Sequence, residues 1–308
     1  MKIIVTAAYS DLEEEYDAMG RLLPEHELTS ALAPDALVLC VTSRDTVTGA
    51  LLDQVPGVRL IATRSTGFEH IELAAARARE ITVCNVPHYG DHTVAEFAFA
   101  LLLMLKRHLR HALKDADEGR FPFGGQRGFD LRGLTLGIIG AGRIGRRTAQ
   151  IGAGFGMTVL AHDTAPLPDE ATRIGYTYVS KDELLARADV LSLHTPLTPQ
   201  TVHLVGVPEL EKLKRGAVLI NTARGGVVDT AAVLAALDTG QLSGAGLDVL
   251  EGDENLAAFA PELLARYPNL IITPHMAYHT TGGVGRIRQT TADNIRAFLA
   301  GTPQNTVV

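Results

Sequence analysis

Gly140-Ala141-Gly142-Arg143-Ile144-Gly145 is the stretch that decides the fold of this chain. It follows an apolar run, residues 134–139, that predicts a buried strand, and a second apolar run, residues 157–161, ends at His162-Asp163. A strand, a glycine-rich turn, a helix, a second strand and an acidic residue together form the dinucleotide-binding fingerprint. The sequence therefore predicts a doubly wound parallel sheet that binds a dinucleotide.

Each residue of the turn has a mechanical role in this prediction. Gly140 permits a tight turn, Gly142 lets the backbone approach a pyrophosphate, and Gly145 lets the helix pack close to the sheet. The first helical turn then offers N–H groups and a partial positive charge to the phosphates. Asp163 is placed to accept both hydroxyls of the adenosine ribose. It would repel a 2′-phosphate, and the next residue, Thr164, carries no positive charge, so the predicted cofactor is NAD.

Composition bounds the class of protein. A chain of 308 residues is long for one compact core, which predicts two domains. A content of 46% hydrophobic and 20% charged residues is typical of a soluble globular protein. The net charge of −7 argues against a nucleic-acid or membrane-surface role, and the longest apolar run, residues 97–105, is too short to span a bilayer. Cys40 and Cys84 lie in strand-like runs without metal-ligand spacing, and the first residues show no secretory pattern. We therefore expect reduced thiols, no metal and a cytoplasmic location.

The first ninety residues alternate between short apolar segments and helix-forming segments, which predicts a small parallel α/β domain. The predicted strands are residues 3–6, 36–41, 60–63 and 82–85, and the helix candidates are residues 10–23 and 71–79. Thr93 to Glu96 has the form of a capping box and predicts the start of a long helix that reaches about Leu113. Because this helix is apolar on more than one face, it must be buried between domains or between subunits.

The remaining segments continue the sheet that begins before Gly140. The predicted strands are residues 176–179, 190–193, 217–221, 244–248 and 270–273. The predicted helices are residues 181–187, 230–239, 257–266 and 290–299, the last stopped by Gly301-Thr302-Pro303.

Three polar segments follow predicted strands, at the edge where open α/β sheets bind ligands. Arg224 can hold a carboxylate through two parallel hydrogen bonds, or it can pair with a structural acid. The segment from Asp248 to Glu254 carries four acids in seven residues, some of which can be a solvated loop. His275 follows a strand and a proline and can exchange a proton near neutral pH, although a structural histidine is the alternative. With a nicotinamide cofactor, such a set would interconvert a 2-keto acid and a 2-hydroxy acid.

The ordered set of motifs resembles the D-specific 2-hydroxyacid dehydrogenase family over nearly the whole length, and its D-lactate dehydrogenases in particular. The matching segments are residues 64–67 (Arg-Ser-Thr-Gly), 85–89 (Asn-Val-Pro-His-Tyr), 140–145, 194–198 (His-Thr-Pro-Leu-Thr), 221–229, 247–249 (Leu-Asp-Val) and 273–275 (Thr-Pro-His). The resemblance implies two Rossmann-like doubly wound parallel-sheet domains. Residues 1–90 and 280–308, from both chain ends, would form the substrate domain, and residues 91–279 the NAD-binding domain.

The resemblance also implies site residues. Arg224 would anchor the substrate, His275 would protonate the keto oxygen, and the backbone N–H groups of Thr66 and Gly67 would bind the carboxylate beside Tyr89. Asp248 would hold the nicotinamide carboxamide. The other implied cofactor-binding residues are Gly140, Gly142, Arg143, Ile144, Gly145, Asp163, Thr195, Pro196, Thr201, Thr222 and Ala223.

One departure concerns the partner of the histidine, which is usually a glutamate in the family. The matching position here is Asp253, which is one methylene shorter, so Glu254 is the competing candidate. We favour Asp253, because Glu254 would point the other way in an extended backbone. Met276 and His279 also differ from common choices beside the histidine.

The sequence thus predicts an NAD-dependent D-2-hydroxyacid dehydrogenase that forms a homodimer through the helix after Thr93. The pocket candidates are mostly apolar and favour pyruvate or a larger apolar 2-keto acid; they are Phe68, Tyr89, Met276 and Tyr278. The alternatives are a family enzyme acting on glyoxylate, hydroxypyruvate or phosphite, and an NAD-sensing, corepressor-like protein without catalysis.

Overall fold

The computed structural model describes residues 1–6, 12–122, 125, 127–252 and 256–308. Over these residues the chain divides into two compact units. The first unit comprises Met1–Tyr89 and Thr280–Val308, and the second comprises Gly90–His279. Both units are built on parallel sheets with alternating helices, as the sequence predicted.

The first unit contains a five-stranded parallel sheet in the order β2-β1-β3-β4-β5. Helices and strands are numbered along the whole chain. The strands are β1 (Lys2–Val5), β2 (Glu27–Thr29), β3 (Val38–Val41), β4 (Leu60–Thr63) and β5 (Thr82–Cys84), and the helices are α1 (Leu12–Leu22), α2 (Gly49–Leu52), α3 (Leu73–Ala78) and α12 (Thr281–Leu299). The inner strands are apolar on both faces because each face packs against its own cluster of buried side chains.

The second unit contains a seven-stranded parallel sheet in the order β12-β11-β10-β9-β6-β7-β8. Its strands are β6 (Thr135–Ile139), β7 (Thr158–His162), β8 (Thr177–Tyr178), β9 (Val190–Leu193), β10 (Ala217–Asn221), β11 (Leu242–Leu247) and β12 (Leu270–Ile272). Its helices are α4 (Asp91–Lys106), α5 (Leu109–Asp117), α6 (Arg143–Gly154), α7 (Pro168–Ile174), α8 (Lys181–Arg187), α9 (Val207–Lys212), α10 (Thr230–Asp238) and α11 (Leu256–Arg266). The strand order reverses between β6 and β9, and doubly wound sheets bind ligands at such a point.

The predicted long helix after Thr93 is wrong in two respects. The helix begins at Asp91, with Gly90 as its N-cap, and the side chain of Thr93 is buried inside it rather than capping it. It also ends at Lys106, because the N–H of Phe129 donates to the carbonyl oxygen of Lys106 at 2.9 Å and satisfies a terminal acceptor. His108 then adopts a left-handed backbone (φ 51°), and α5 starts as a separate helix.

The last helix is longer than the predicted residues 290–299. It starts at Thr281, and the hydroxyl of Thr280 caps it by accepting a hydrogen bond from the N–H of Gly283 at 3.0 Å. The start could not be predicted from the sequence because the first turn contains glycines, which disfavour a helix. The bounds predicted for three elements of the second unit, 181–187, 190–193 and 217–221, are confirmed.

The residues after α12 return to the first sheet. Val307 donates to and Val308 accepts from the backbone of Val83, and the N–H of Asn85 donates to the carbonyl oxygen of Asn305 at 3.1 Å. These contacts add a short antiparallel segment to the edge strand β5. Among the described helices, none is both long and apolar enough to cross a bilayer.

Candidate active site on the second sheet

Most of the predicted site residues lie at one edge of the second sheet. Each follows the carboxyl end of a strand, and six neighbouring strands contribute. Asp163 follows β7, Gly140 follows β6, Thr195 follows β9, Thr222 to Arg224 follow β10, Asp248 follows β11, and His275 follows β12. The parallel topology is what gathers these distant positions of the sequence, because all the carboxyl ends meet at the same edge.

The glycine turn has no room for larger residues at two of its three positions. Gly140 has φ of 91°, and a Cβ there would lie 2.7 Å from the carbonyl oxygen of His194. A Cβ at Gly145 would overlap the carbonyl oxygen of Gly140. A Cβ at Gly142 would meet nothing within 4 Å, so the space beside this residue is open to a ligand. The three glycines thus occupy the roles that the fingerprint assigns to them.

Asp163 ties the glycine turn to the end of β7. Its Oδ2 accepts a hydrogen bond from the N–H of Ala141 at 2.6 Å, and its Oδ1 accepts one from the N–H of Ala165 at 2.8 Å. Helix α6 begins at Arg143 without a side-chain cap on its N-terminus, where N–H groups can meet an anion. The Nε of Arg143 donates to Asp91 at 2.7 Å.

Two hydroxyls at this edge are suited to a bound cofactor. The Oγ1 atoms of Thr195 and Thr222 are buried, and neither finds a hydrogen-bond partner among the residues described. Buried hydroxyls without partners are costly, which favours a ligand that supplies the missing bonds. Together with the open space at Gly142, they fit a dinucleotide. Thr201 has a different role, since its hydroxyl donates to the carbonyl oxygen of Pro196 at 2.7 Å and closes that loop.

The Arg224 segment is fixed from the end of β10. The Nδ2 of Asn221 donates to the carbonyl oxygen of Arg224 at 2.9 Å, and its Oδ1 accepts from the N–H of Ala223 at 3.0 Å. The half-buried guanidinium donates to the carbonyl oxygen of Ala223 at 2.8 Å. Gly225 packs so closely against Leu250 that a Cβ there would overlap its carbonyl oxygen. The backbone that carries the guanidinium is therefore held on both sides.

His275 is held in a strained conformation beside Asp248. Its backbone is left-handed, with φ of 54°, which is uncommon for a residue other than glycine. Its N–H donates to the carbonyl oxygen of Asp248 at 2.9 Å, and the ring of Tyr278 meets the imidazole edge-on at 6.3 Å between centroids. Strained residues cluster at functional sites, so this geometry supports a role for His275.

Asp248 is buried, and its carboxylate is occupied by the segment around His275. Oδ1 accepts from the hydroxyl of Thr273 at 2.5 Å and from the N–H of Met276 at 2.9 Å, while Oδ2 accepts from the N–H of Ala277 at 2.8 Å. Burial raises the pKa of Asp248, and these hydrogen bonds oppose that rise. The predicted contact with a nicotinamide carboxamide stays a prediction.

Two histidines to which the sequence analysis assigned no role also belong to this edge. His194 bonds to the hydroxyl of Ser192 at 2.9 Å, and desolvation lowers the pKa of its imidazole to about 4, so it is neutral. His203 lies with its Nε2 2.6 Å from Oε1 of Glu251, and this hydrogen bond raises the pKa of His203. The signals for His194 in the sequence were the matching segment 194–198 and its position directly after an apolar strand that contains Ser192.

The other predicted residues lie elsewhere. Thr66, Gly67 and Tyr89 belong to the first unit. Asp253 and Glu254, the competing partners for His275, lie outside the described residues.

Comparisons with known proteins give the family. The profile described as "D-isomer specific 2-hydroxyacid dehydrogenase, NAD binding domain" matches residues 99–277, more than half of the chain. The chain belongs to the D-isomer specific 2-hydroxyacid dehydrogenase family. The matched residues lie within the second unit, so the dinucleotide predicted from the glycine turn is NAD.

Members of the family with different substrates are about equally similar to this dehydrogenase. It is 38% identical over 293 residues to the D-lactate dehydrogenase kk1H of Curvularia clavata, covering 91% of this chain and 84% of that protein. It is also 38% identical over 266 residues to the glycerate dehydrogenase of Methylorubrum extorquens, covering 83% and 81%. Among solved structures, the D-lactate dehydrogenase from Aquifex aeolicus complexed with NAD and lactic acid matches with a TM-score of 0.84 and 36% identity, covering 98% and 96% of the two chains.

Proposed function

We propose that this dehydrogenase reduces a small, apolar 2-keto acid to the D-2-hydroxy acid with NADH. The observation that carries the proposal is the placement of Arg224, Asp248 and His275 after three adjacent strands, with His275 clamped to Asp248. The similarity to the D-lactate dehydrogenases of Curvularia clavata and Aquifex aeolicus supports pyruvate as a candidate.

The residues of the second unit divide the work of the reaction. When bound, NADH supplies the hydride that C2 of the acid receives. The fork of Arg224 would hold the carboxylate and stabilise negative charge that develops on the keto oxygen. The imidazolium of His275 would donate its proton to that oxygen. A carboxylate partner, Asp253 by register or Glu254 by length, would raise the pKa of His275 and keep it protonated.

The surroundings of His275 favour an apolar acid. Met276 follows it with 39% of its surface exposed, and the ring of Tyr278 contacts the imidazole edge-on. An apolar thioether next to the proton donor would contact the side chain of a substrate without offering it a hydrogen bond. This composition supports pyruvate or a larger apolar 2-keto acid over hydroxypyruvate.

The decisive experiment is an assay of NADH oxidation with a panel of acids. We expect the highest kcat/KM with pyruvate or a larger apolar 2-keto acid, lower values with glyoxylate and hydroxypyruvate, and a product of D configuration by chiral chromatography. Preference for hydroxypyruvate or glyoxylate, or oxidation of phosphite with NAD, would assign the alternative substrate. Binding of NADH without turnover of any acid would instead indicate a corepressor-like sensor.

We further propose that the protein is a cytoplasmic homodimer. Cys40 and Cys84 are both buried free thiols, which fits a reducing compartment. Burial raises the pKa of each thiol to about 11. The dimer would form through the second part of the helix predicted after Thr93, which is the start of α5, and through the loop that follows it. Four large apolar side chains are exposed there: Leu109 (41%), Leu113 (60%), Phe121 (82%) and Phe129 (63%).

Light scattering tests the dimer. Leu113→Lys should yield a monomer at concentrations where the parent is a dimer, whereas Leu167→Lys, at an exposed leucine of the same unit outside this region, should not. A monomeric parent chain would contradict the proposal.

A further inference from the structure

The turn predicted to bind the substrate carboxylate is held by hydrogen bonds within the first unit. The hydroxyl of Ser65 donates to the carbonyl oxygen of Gly67 at 2.6 Å and lies 2.7 Å from the hydroxyl of Thr63. The hydroxyl of Thr66 donates to the carbonyl oxygen of Val86 at 2.8 Å. The turn is thus fixed by its own side chains and by the segment after β5.

The N–H groups of this turn are left for a ligand. Thr66 is exposed and Gly67 is half-buried, and neither backbone N–H donates to an acceptor within the described residues. Successive N–H groups of a turn form a concavity that binds anions. Because both carboxylate oxygens of a keto acid need donors, the orientation of this turn would set the affinity for the acid.

Three asparagines, Asn85, Asn294 and Asn305, form a chain of hydrogen bonds, here called the relay, that fixes the orientation of this turn. The Nδ2 of Asn85 donates to the carbonyl oxygen of Thr66 at 2.8 Å. The Nδ2 of Asn294, on α12, donates to the carbonyl oxygen of Asn85 at 2.8 Å. The Nδ2 of Asn305 in turn donates to Oδ1 of Asn294 at 2.8 Å. The N–H of Asn85 closes the group by donating to the carbonyl oxygen of Asn305.

Asn294 is the centre of this relay and is 1% exposed. Asparagine disfavours a helix interior and is mostly found at the surface, so its burial in the middle of α12 needs a compensating contact. Both ends of its amide are used, one as donor and one as acceptor. Hydrogen bonds to a buried amide rigidify the backbone groups that they join.

We propose that Asn294 and Asn305 are positioning residues for the substrate, acting through Asn85 on the carboxylate-binding turn at Thr66 and Gly67. The inference rests on the proposed function for the identity of the ligand, and on the geometry of the first unit for the relay. The contacts of the turn are made to the carboxylate and not to the reacting carbon. Losing these contacts therefore weakens the binding of the substrate and of the transition state equally, which raises KM and leaves kcat unchanged.

Two variants break the relay with little change of shape. Asn305→Gly removes the amide but keeps the left-handed backbone, since φ at this position is 53° and glycine adopts it freely. Asn294→Asp keeps the acceptor for Asn305 and replaces the donor with a carboxylate that faces the carbonyl oxygen of Asn85. Gln289→Ala is the control, because it removes an exposed amide of the same helix that donates to Asp293 at 3.0 Å.

We expect KM for the keto acid to rise by about threefold in Asn305→Gly and on the order of tenfold in Asn294→Asp, with kcat and the KM for NADH within about twofold of the parent. Gln289→Ala should match the parent. An unchanged KM for the acid in both relay variants would overturn the proposal, as would an equal rise in the KM for NADH, which indicates a general structural defect.

Hydrogen exchange separates this proposal from the proposed function. The amide hydrogen of Val86 donates to the carbonyl oxygen of Ser65 at 2.9 Å and so reports on the turn; it should exchange faster in Asn305→Gly than in Gln289→Ala, without any acid present. If the parent reduces no keto acid, the proposed function fails, and this exchange rate still decides the relay. Equal exchange in the two variants would refute the relay itself.

Discussion

Asp248 accepts hydrogen bonds from His275 itself and from residues on both sides of it. Its carbonyl oxygen accepts the N–H of His275, and its carboxylate accepts from Thr273 before the histidine and from Met276 and Ala277 after it. A left-handed backbone at a residue other than glycine costs on the order of 1 kcal/mol or more. The buried acid offsets that cost and fixes where the imidazole lies.

Replacing Asp248 with asparagine should lower kcat on the order of tenfold or more. An amide has one oxygen acceptor in place of two, so at least one N–H of Met276 or Ala277 would lose its partner, and the imidazole would lose its fixed position. Steady-state kinetics with the best keto acid measure the effect, and Asp238→Asn, at an acid of the same unit that pairs with Arg266, serves as the control. A kcat equal to that of the parent would remove Asp248 from the support of His275.

Alanine at two of the turn glycines should have opposite effects. Gly145→Ala should reduce the free energy of unfolding by several kcal/mol, because the new Cβ overlaps the carbonyl oxygen of Gly140 and the helix must shift. Gly142→Ala should leave the melting temperature unchanged, because no atom lies within 4 Å, but should weaken NADH binding. Thermal melts and NADH fluorescence titrations separate the two. If Gly142→Ala bound NADH as tightly as the parent, the open space would not be the pyrophosphate site.

Arg224→Lys should lower kcat/KM on the order of a hundredfold or more. Lysine keeps the positive charge but lacks the planar fork that holds a carboxylate through two hydrogen bonds. Arg215→Lys is the matched control, since Arg215 is exposed in the same unit and donates to the carbonyl oxygen of Thr239. Near-normal kcat/KM in Arg224→Lys would place the carboxylate elsewhere.

Asp163→Ala should lose the preference for NADH over NADPH. The acid would no longer repel a 2′-phosphate, so kcat/KM with NADPH should approach that with NADH. The variant should also lose some stability, because Asp163 accepts the N–H groups of Ala141 and Ala165. A parent enzyme that already prefers NADPH would contradict the role assigned to this acid.

The pair of His203 and Glu251 should make stability depend on pH. The pKa of His203 is raised in the folded protein, so its contribution is fully present below the ordinary histidine pKa of about 6.5 and is lost as the pH rises through the raised value. His203→Asn should therefore lower the melting temperature more at about pH 5.5 than at about pH 9. Asparagine tolerates the left-handed backbone of this residue (φ 49°), so the comparison isolates the charge. An equal decrease at both pH values would rule the charge out.

The sequence was informative where structure is local. The glycine turn and the apolar runs of β9 and β10 follow from short-range sterics and burial, and they could be located to the residue. The break after Lys106 could not, because its cap comes from Phe129, more than twenty residues later. The contacts of Asn294 could not be predicted for the same reason, since its partners are Asn85 and Asn305.

Asp248 illustrates a limit of a different kind. Its position at the end of a strand could be predicted, but the direction of its carboxylate could not. The contacts with Thr273, Met276 and Ala277 depend on the path of the chain after β12, which no motif encodes.

Helix α12 packs Ala292 and Ile295 against the same cluster of side chains as β1, although 190 residues of the second unit separate Tyr89 from Thr280. At synthesis rates of about 5–20 residues per second, the ribosome needs roughly 10–40 seconds to make that insertion. During this time the first sheet lacks its covering helix, while the second unit can already close its core. The NAD-binding unit can therefore fold as the chain emerges, and the nascent first unit is the part that a chaperone would have to shield.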